Sequence, residues 1–401
     1  MGEEINQREK SWYDRNYKIL LFIPVAVFIA ALVYIIIFYQ TNGDLFKKDV
    51  SLTGGTSITV FNEQRDAKII GDELKALFPD VHIRAISDIR TGKQHGFTLE
   101  SQQKADALKA ALEEKLGYKL TDENSSVEFA GSSLSSGFYQ QLLNAITAAF
   151  ILMGAVVFLI FGESRRSKLI SVMISAVAIS ILFRNVNLLS YSAIFVFGAS
   201  LFWYLVSREF RKSKYKRLEP ALIFIGGILL IQKSLIGTLL PAIKNTSDYI
   251  LVGPLLAILV FLYIRTSVPS IAVIFAAFAD IVMTVAVIDL LEVNISAAGI
   301  VAFLMLIGYS VDTDILLTSR TLRNREGTVN QRIFGAFKTG ITMTLAAIAS
   351  VGVSLIIIYS FSETLKQIFG IILIGLVMDI MNTWMTNASI LKWYMEAKGI
   401  Q

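Results

Sequence analysis

Ten predominantly apolar runs restrict this 401-residue chain more than any other feature; they lie at about 19–39, 141–161, 168–183, 187–206, 219–240, 248–264, 269–291, 295–319, 335–359 and 365–391. A bilayer core roughly 30 Å thick takes about 20 apolar helical residues to cross, and lipid offers a backbone amide no partner. The runs therefore predict membrane-spanning helices. The composition, 54% hydrophobic and 17% charged, excludes an ordinary soluble protein. The 168–183 run is the shortest and is expected to be tilted, re-entrant or paired closely with 187–206. The first run is too long for a signal peptide's apolar core and has no small-residue cleavage site, so it is expected to remain as a span.

The formal net charge is +5, and its distribution matters more than its size. Arg8, Lys10, Arg15 and Lys18 precede the first run, and six basic residues crowd the loop 207–218. Further basic groups follow at Arg165, Arg166, Lys168, Arg265, Arg320, Arg323, Arg325, Arg332, Lys338, Lys392 and Lys398. Threading the runs alternately puts all of these on one side, which the positive-inside rule identifies as the cytoplasm. The prediction is a polytopic α-helical membrane protein of about ten spans with both termini cytoplasmic. The same pattern accounts for the basic charge without a nucleic-acid partner. There is no cysteine, which excludes disulfides and thiolate metal sites.

Between the first two runs the chain turns polar, from about Asp44 to Ser136. Strand-like stretches at 57–61, 81–87, 96–100 and 126–129 alternate with amphipathic stretches at 64–78 and 102–116 in the order βαββαβ. This predicts a small ferredoxin-like domain outside the membrane, with two helices on one face of a sheet. Its expected core is Ile69, Leu74, Leu77, Ile83, Phe97, Leu99, Leu108, Leu112 and Val127. Gly54 and Gly55, with no P-loop residues after them, read as a backbone bend leading from the first span into Thr56 and the domain. His82 and His95 lack companion ligands, so no metal is expected.

Four carboxylates lie inside apolar runs: Asp280, Asp312, Asp314 and Asp379. An ionised carboxylate in hydrocarbon costs on the order of 3 kcal/mol, so such residues face protein or water and often have a task. At about 100° per residue Asp312 shares its helix face with Gly308, Tyr309 and Leu316, whereas Asp314 shares the other with Ser310, Val311 and Thr318. That span is expected to be covered by protein on two sides. One reading makes the four acids proton-coupling groups, since a carboxyl taken out of water can exchange a proton near physiological pH. The other makes them helix-positioning residues held by Ser310, Thr313, Asn382, Thr383 or Asn387. Asp289, near the outer boundary, is expected to be solvated, and Arg320 to anchor its helix at the inner boundary.

Four stretches carry a family resemblance: 51–56 (Ser-Leu-Thr-Gly-Gly-Thr), 261–270 with Arg265 and Pro269, 308–317 with its two acids, and 375–388 with Asp379, Asn382, Thr383 and Asn387. In this order, around a polar first outer loop, they resemble the SecD/SecF family of protein-export membrane proteins, specifically its archaeal SecF members, within the resistance-nodulation-division superfamily. The resemblance implies a subunit that assists translocation of unfolded secretory proteins across the plasma membrane beside a SecD-like partner and the protein-conducting channel, using proton motive force. Bacterial members resemble Gly-Tyr-Ser-Ile-Asn-Asp-Thr at the 308–317 stretch, so their acid aligns with Thr313 and their Asn with Asp312. Family members have six spans, and about four more are inserted here between 163 and 264. Both 150–161 and 256–265 resemble the family's second span.

The domain reading is therefore 1–43 for the N-terminus and first span, 44–136 for the outer domain, 137–162 for a span, 163–264 for the insert and 265–401 for the family-core bundle. No nucleophile and base pair suggests an enzyme, and no cofactor is expected; the partners are protein subunits and membrane lipid. A small-molecule exporter of the same superfamily is the first rival reading, disfavoured because such exporters need two halves of this kind and larger outer domains. A purely structural translocase subunit is the second.

Overall fold

The computed structural model describes residues 12–87, 91–183, 248–323, 326–359 and 362–399. The runs at 187–206 and 219–240, and the basic loop 207–218, lie outside these. Among the described residues seven helices are long and apolar enough to cross a membrane. The first is α1 (Trp12–Asn42), followed by the short α2 (Val50–Thr53), the outer domain, and α5 (Ser132–Phe161). Then come α6 (Arg165–Leu182), α7 (Asp248–Thr266), α8 (Val268–Leu290), α9 (Ala297–Arg323), α10 (Val329–Ile358) and α11 (Glu363–Met381). A π-helical turn, Asn382–Asn387, continues α11 into α12 (Ala388–Ala397), so the last two form one span. The 168–183 run is helix α6, which is not among the seven.

The outer domain has the expected order: β1 (Gly55–Phe61), α3 (Ala67–Lys75), β2 (His82–Ser87), β3 (Gln94–Ser101), α4 (Ala105–Leu116) and β4 (Ser125–Ala130). The strands pair antiparallel in the spatial order β2-β3-β1-β4, a split βαβ arrangement. Alternation along each strand sends Ile58, Val60, Phe97 and Leu99 to the face covered by α3 and α4, where Ile70, Leu74, Leu108 and Leu112 meet them. Three expected core residues do not belong there: Ile69, Leu77 and Val127 are exposed. Ile70 takes the place assigned to Ile69, because one residue rotates a helical side chain by about 100°. Val127 lies opposite Ile58 on the edge strand β4 and stays exposed there.

Gly54 and Gly55 make the expected bend, at φ 84° and 136°. A side chain at Gly55 would run into the Ser101 carbonyl, so the close approach of β1 to β3 requires glycine there. The stretch leading into the bend is tied to the bundle. Asp49 N–H donates to the Ile295 carbonyl at 3.1 Å, Ile295 N–H to Lys47 at 2.7 Å, and Ala297 N–H to Ser51 Oγ at 3.0 Å.

In the membrane part α8, α9 and α11 pack on one another. α1 lies against α8 through Phe28, Ala31, Ala279 and Met283, with Ile19, Phe22 and Ile36 turned outward as lipid-facing residues should be. On α11 Gly375 lies against Leu306 of α9, and a side chain there would prevent the contact. Of the two helices that resemble the family's second span, α5 packs on both α8 and α9, whereas α7 packs on α6 and α8. α5, α6 and α7 are joined by a polar chain in which Asn144 Nδ2 donates to the Leu182 carbonyl and Tyr249 to Asn144 Oδ1.

Candidate functional site

Three of the four intramembrane acids meet where α8, α9 and α11 cross. Asp280, Asp314 and Asp379 are completely buried, together with Ser310, Thr313, Asn382, Thr383 and Asn387. Small residues, Ala276, Ala277 and Ala279 on α8 and Gly375 on α11, bring the backbones close enough for these short side chains to touch.

The donors are shared unevenly. Asp280 receives one on each oxygen, Ser310 Oγ at 2.5 Å and Asn382 Nδ2 at 2.7 Å. Asp379 receives Thr383 Oγ1 at 3.0 Å and faces Thr313 Oγ1 at 3.1 and 3.2 Å. The Thr313 hydroxyl also lies 2.8 Å from the Ser310 carbonyl, and its single proton serves one acceptor at a time. Asp314 Oδ1 accepts from Asn387 Nδ2 at 2.7 Å, while its Oδ2 is buried with no hydrogen-bond partner among the described residues. Among those residues no Lys, Arg or His forms an ion pair with any of the three. An ionised carboxylate can accept about four hydrogen bonds. None of these receives that many.

The π-turn is the local device behind this geometry. One extra residue in a helical turn changes which side chains face the partner helices, and such turns gather at functional sites. Here it presents Asn382 to Asp280, Thr383 to Asp379 and Asn387 to Asp314 from a single stretch of chain. Sequence reasoning picked out these three residues but not the turn. It also missed Thr284, which bonds the Asp280 carbonyl at 2.6 Å, and Thr386, buried beside Asn382. Their signal is a hydroxyl four residues after a polar neighbour in an apolar run.

Asp312 is not brought into the cluster. It lies with Gly308 on the exposed side of α9 and makes no hydrogen bond among the described residues, and the Tyr309 hydroxyl is buried without a partner there. Of the two faces of α9 expected to be covered, the described chain covers the one carrying Ser310, Asp314 and Thr318. Asp289 corrects another expectation. It is 1% exposed rather than solvated, because the 47–49 stretch and the α8–α9 loop close over the end of α8. Arg320 is exposed and donates to Thr339 Oγ1 at 2.7 Å, tying α9 to α10 at the expected boundary. Pro269 lies in the first turn of α8, which Ser267 caps, and Arg265 is exposed at the end of α7. Thr56 is buried and donates to the Gln103 carbonyl at 2.6 Å. His82 and His95 are both exposed.

A helical membrane bundle with carboxylates at its centre and a small split-βαβ domain at one end defines a class of multi-pass membrane protein. Residues 230–397 match the family model "Protein export membrane protein SecD/SecF, C-terminal". This stretch, under half of the chain, is similar to the C-terminal part of SecD and SecF proteins and contains three of the four motifs. The protein-export membrane protein SecF of Methanothermobacter thermautotrophicus is 47% identical over 147 residues, 36% of this chain and 51% of that one. SecF of Pyrococcus furiosus is 37% identical over 193 residues, 47% and 60% of the two chains. The match thus spans about half the length of these relatives. The crystal structure of SecDF from Thermus thermophilus, a translocon-associated membrane protein, superposes with a TM-score of 0.52 over 95% of this chain and 38% of that one. At 12% identity the likeness is one of fold. The seven long apolar helices fit a membrane protein, which is how the names of these relatives describe them.

Proposed function

We propose that this chain is a SecF-type subunit that assists protein translocation across the plasma membrane with a SecD-like partner beside the protein-conducting channel, and that protons moving through Asp280, Asp314 and Asp379 drive it. The reading includes ten spans, cytoplasmic termini and an outer domain at 44–136. One observation carries the coupling: three buried carboxylates from three helices, none of them in an ion pair among the described residues. Collecting unpaired negative charge in a low-dielectric core is costly, so the number of protons on the cluster and the packing of α8, α9 and α11 are linked. Hydroxyls and amides able to re-pair as protons come and go surround the acids.

The test is secretion in cells lacking the native subunit, with pull-down of the partner. The amide variants Asp280→Asn, Asp314→Asn and Asp379→Asn keep size and hydrogen bonding but cannot titrate. Each is expected to assemble normally and to lower secretion at least about tenfold, an effect of some 1.4 kcal/mol or more on the driven step. Asp312→Asn is expected to lower it less. Normal secretion from the variant carrying all four Asn residues refutes coupling through these acids, whereas lost assembly favours the helix-positioning reading.

A further inference from the structure

Asparagine followed at the second position by serine or threonine is the acceptor pattern for N-glycosylation, and it has meaning only on an accessible surface outside the membrane. The chain carries four: Asn124-Ser125-Ser126, Asn245-Thr246-Ser247, Asn294-Ile295-Ser296 and Asn387-Ala388-Ser389. The second lies outside the described residues. The fourth is inside the bundle, where Asn387 holds Asp314 and Ser389 is completely buried. The third closes the joint between the bundle and the outer domain. Ile295 and Ser296 are buried there, Ser296 N–H donates to Gln367 Oε1 at 3.0 Å, and Asn294 Nδ2 donates to Glu100 Oε2 at 3.3 Å. Burial keeps both of these patterns from an enzyme.

Asn124 is differently placed. β4 runs from Ser125 to Ala130, and Ala130 pairs with Gly55, which follows α2 at the joint. At about 3.4 Å per residue Asn124 stands roughly 20 Å from Ala130, at the end of the sheet opposite the joint. It closes the 121–124 turn with its side chain partly exposed. Asn124 Oδ1 accepts from Thr121 N–H at 2.8 Å, and Nδ2 donates one of its two hydrogens to the Lys119 carbonyl at 3.0 Å. A glycosylated amide keeps one hydrogen, so both bonds and the turn survive the modification. Ser126, which completes the pattern, is exposed on β4, an edge strand that pairs with β1 alone.

We propose that Asn124 is an N-glycosylation site. Its Nδ2 forms a bond to C1 of the first sugar of a lipid-linked oligosaccharide. The C1–O bond to the lipid's phosphate breaks, the phosphate leaves with the electron pair, and the amide gives up one proton. An oligosaccharyl transferase of the cell is the catalyst. The assignment rests on the proposed placement of 44–136 outside the membrane.

The test is mass spectrometry of the full-length protein purified from its native cells and digested so that one peptide contains residue 124. That peptide is expected to carry a sugar chain on Asn124. Asn124→Gln and Ser126→Ala are each expected to abolish it and to raise mobility on a denaturing gel, whereas Ser126→Thr and Asn294→Gln keep it. Where Asn124→Gln loosens the turn and is not recovered, Ser126→Ala decides alone, because Ser126 takes no part in the two turn bonds. An unmodified Asn124 in the membrane-inserted protein overturns the assignment. So does a sugar chain that survives Ser126→Ala, or one attached at Asn294 instead. Labelling of Glu128→Cys in intact cells with an impermeant reagent separates the two readings. Reaction from outside together with an unmodified Asn124 removes the glycan and leaves the threading standing; reaction only after the membrane is opened removes the threading, and the glycan with it.

Discussion

At the scale of single residues, the hydrogen bond between Asn387 and Asp314 is the most exacting. Asn387 Nδ2 is the donor to Asp314 Oδ1 in a site without water-facing atoms, so Asn387→Ala leaves the acid with no amide partner. Stranding a buried polar group costs about 1–3 kcal/mol. The expected outcome is a lower melting temperature in detergent, partly restored by adding Asp314→Asn; an unchanged melting temperature counts against it. The acids were legible in the sequence, because a carboxylate inside an apolar run is conspicuous. Which of them share a site was not. Asp312 and Asp314 point nearly opposite ways from one helix, and only the placement of α8 and α11 decides that Asp314 is the inner one. The Ile69 and Ile70 exchange has the same origin, since a helix's register against its neighbours follows from packing.

Among the elements, the joint made by α2 and the stretch before it is expected to respond to pH. Asp49 accepts from Ser51 N–H at 2.8 Å and Ser51 Oγ at 2.5 Å, yet burial raises its carboxyl from the usual range to about 6. Glu100 pushes it the same way, while the Ser51 bonds and Arg84 oppose the shift. Because the folded form holds this proton more tightly than the unfolded chain, the contribution is complete below about pH 4 and is lost as pH rises through 6, by up to about 3 kcal/mol. Hydrogen exchange at 46–53 and 292–297 is therefore expected to be slower at pH 5 than at pH 8, after correction for the intrinsic exchange rate, and Asp49→Asn should remove the difference. Equal corrected protection at both values rules this out. Gly55→Ala is expected to loosen the same joint by about 1–3 kcal/mol, seen as faster proteolysis between α1 and β1. The βαββαβ order was readable from alternation alone, because each strand has one covered face. The π-turn was not, since nothing in Asn-Thr-Trp-Met-Thr-Asn distinguishes it from an ordinary helical turn.

For the whole molecule the absence of cysteine makes topology directly testable. Glu128→Cys in the outer domain is expected to react with an impermeant reagent from outside, and Ser213→Cys only after the membrane is opened; labelling of position 213 in intact cells contradicts the proposed threading. The segment 44–136 is expected to fold alone, since its core draws only on its own helices and strands. Its circular dichroism should show mixed α and β structure, and a random-coil spectrum would count against this. Seven of the ten apolar runs are helices long and apolar enough to cross a membrane, as their length indicated, but the second-span ambiguity was not resolvable there: α5 packs on both α8 and α9, while the family match from residue 230 includes α7 instead. The π-turn acquires a mechanical meaning at this scale. It holds one residue of slack in the last span, and slack in a helix can travel. Were it to close at 382–387 and reopen further along, the chain between the two positions would turn by about 100° and advance by about 1.5 Å, like a thread engaging by one notch. Asn382, Thr383 and Asn387 would then leave their three acids together, in a single step.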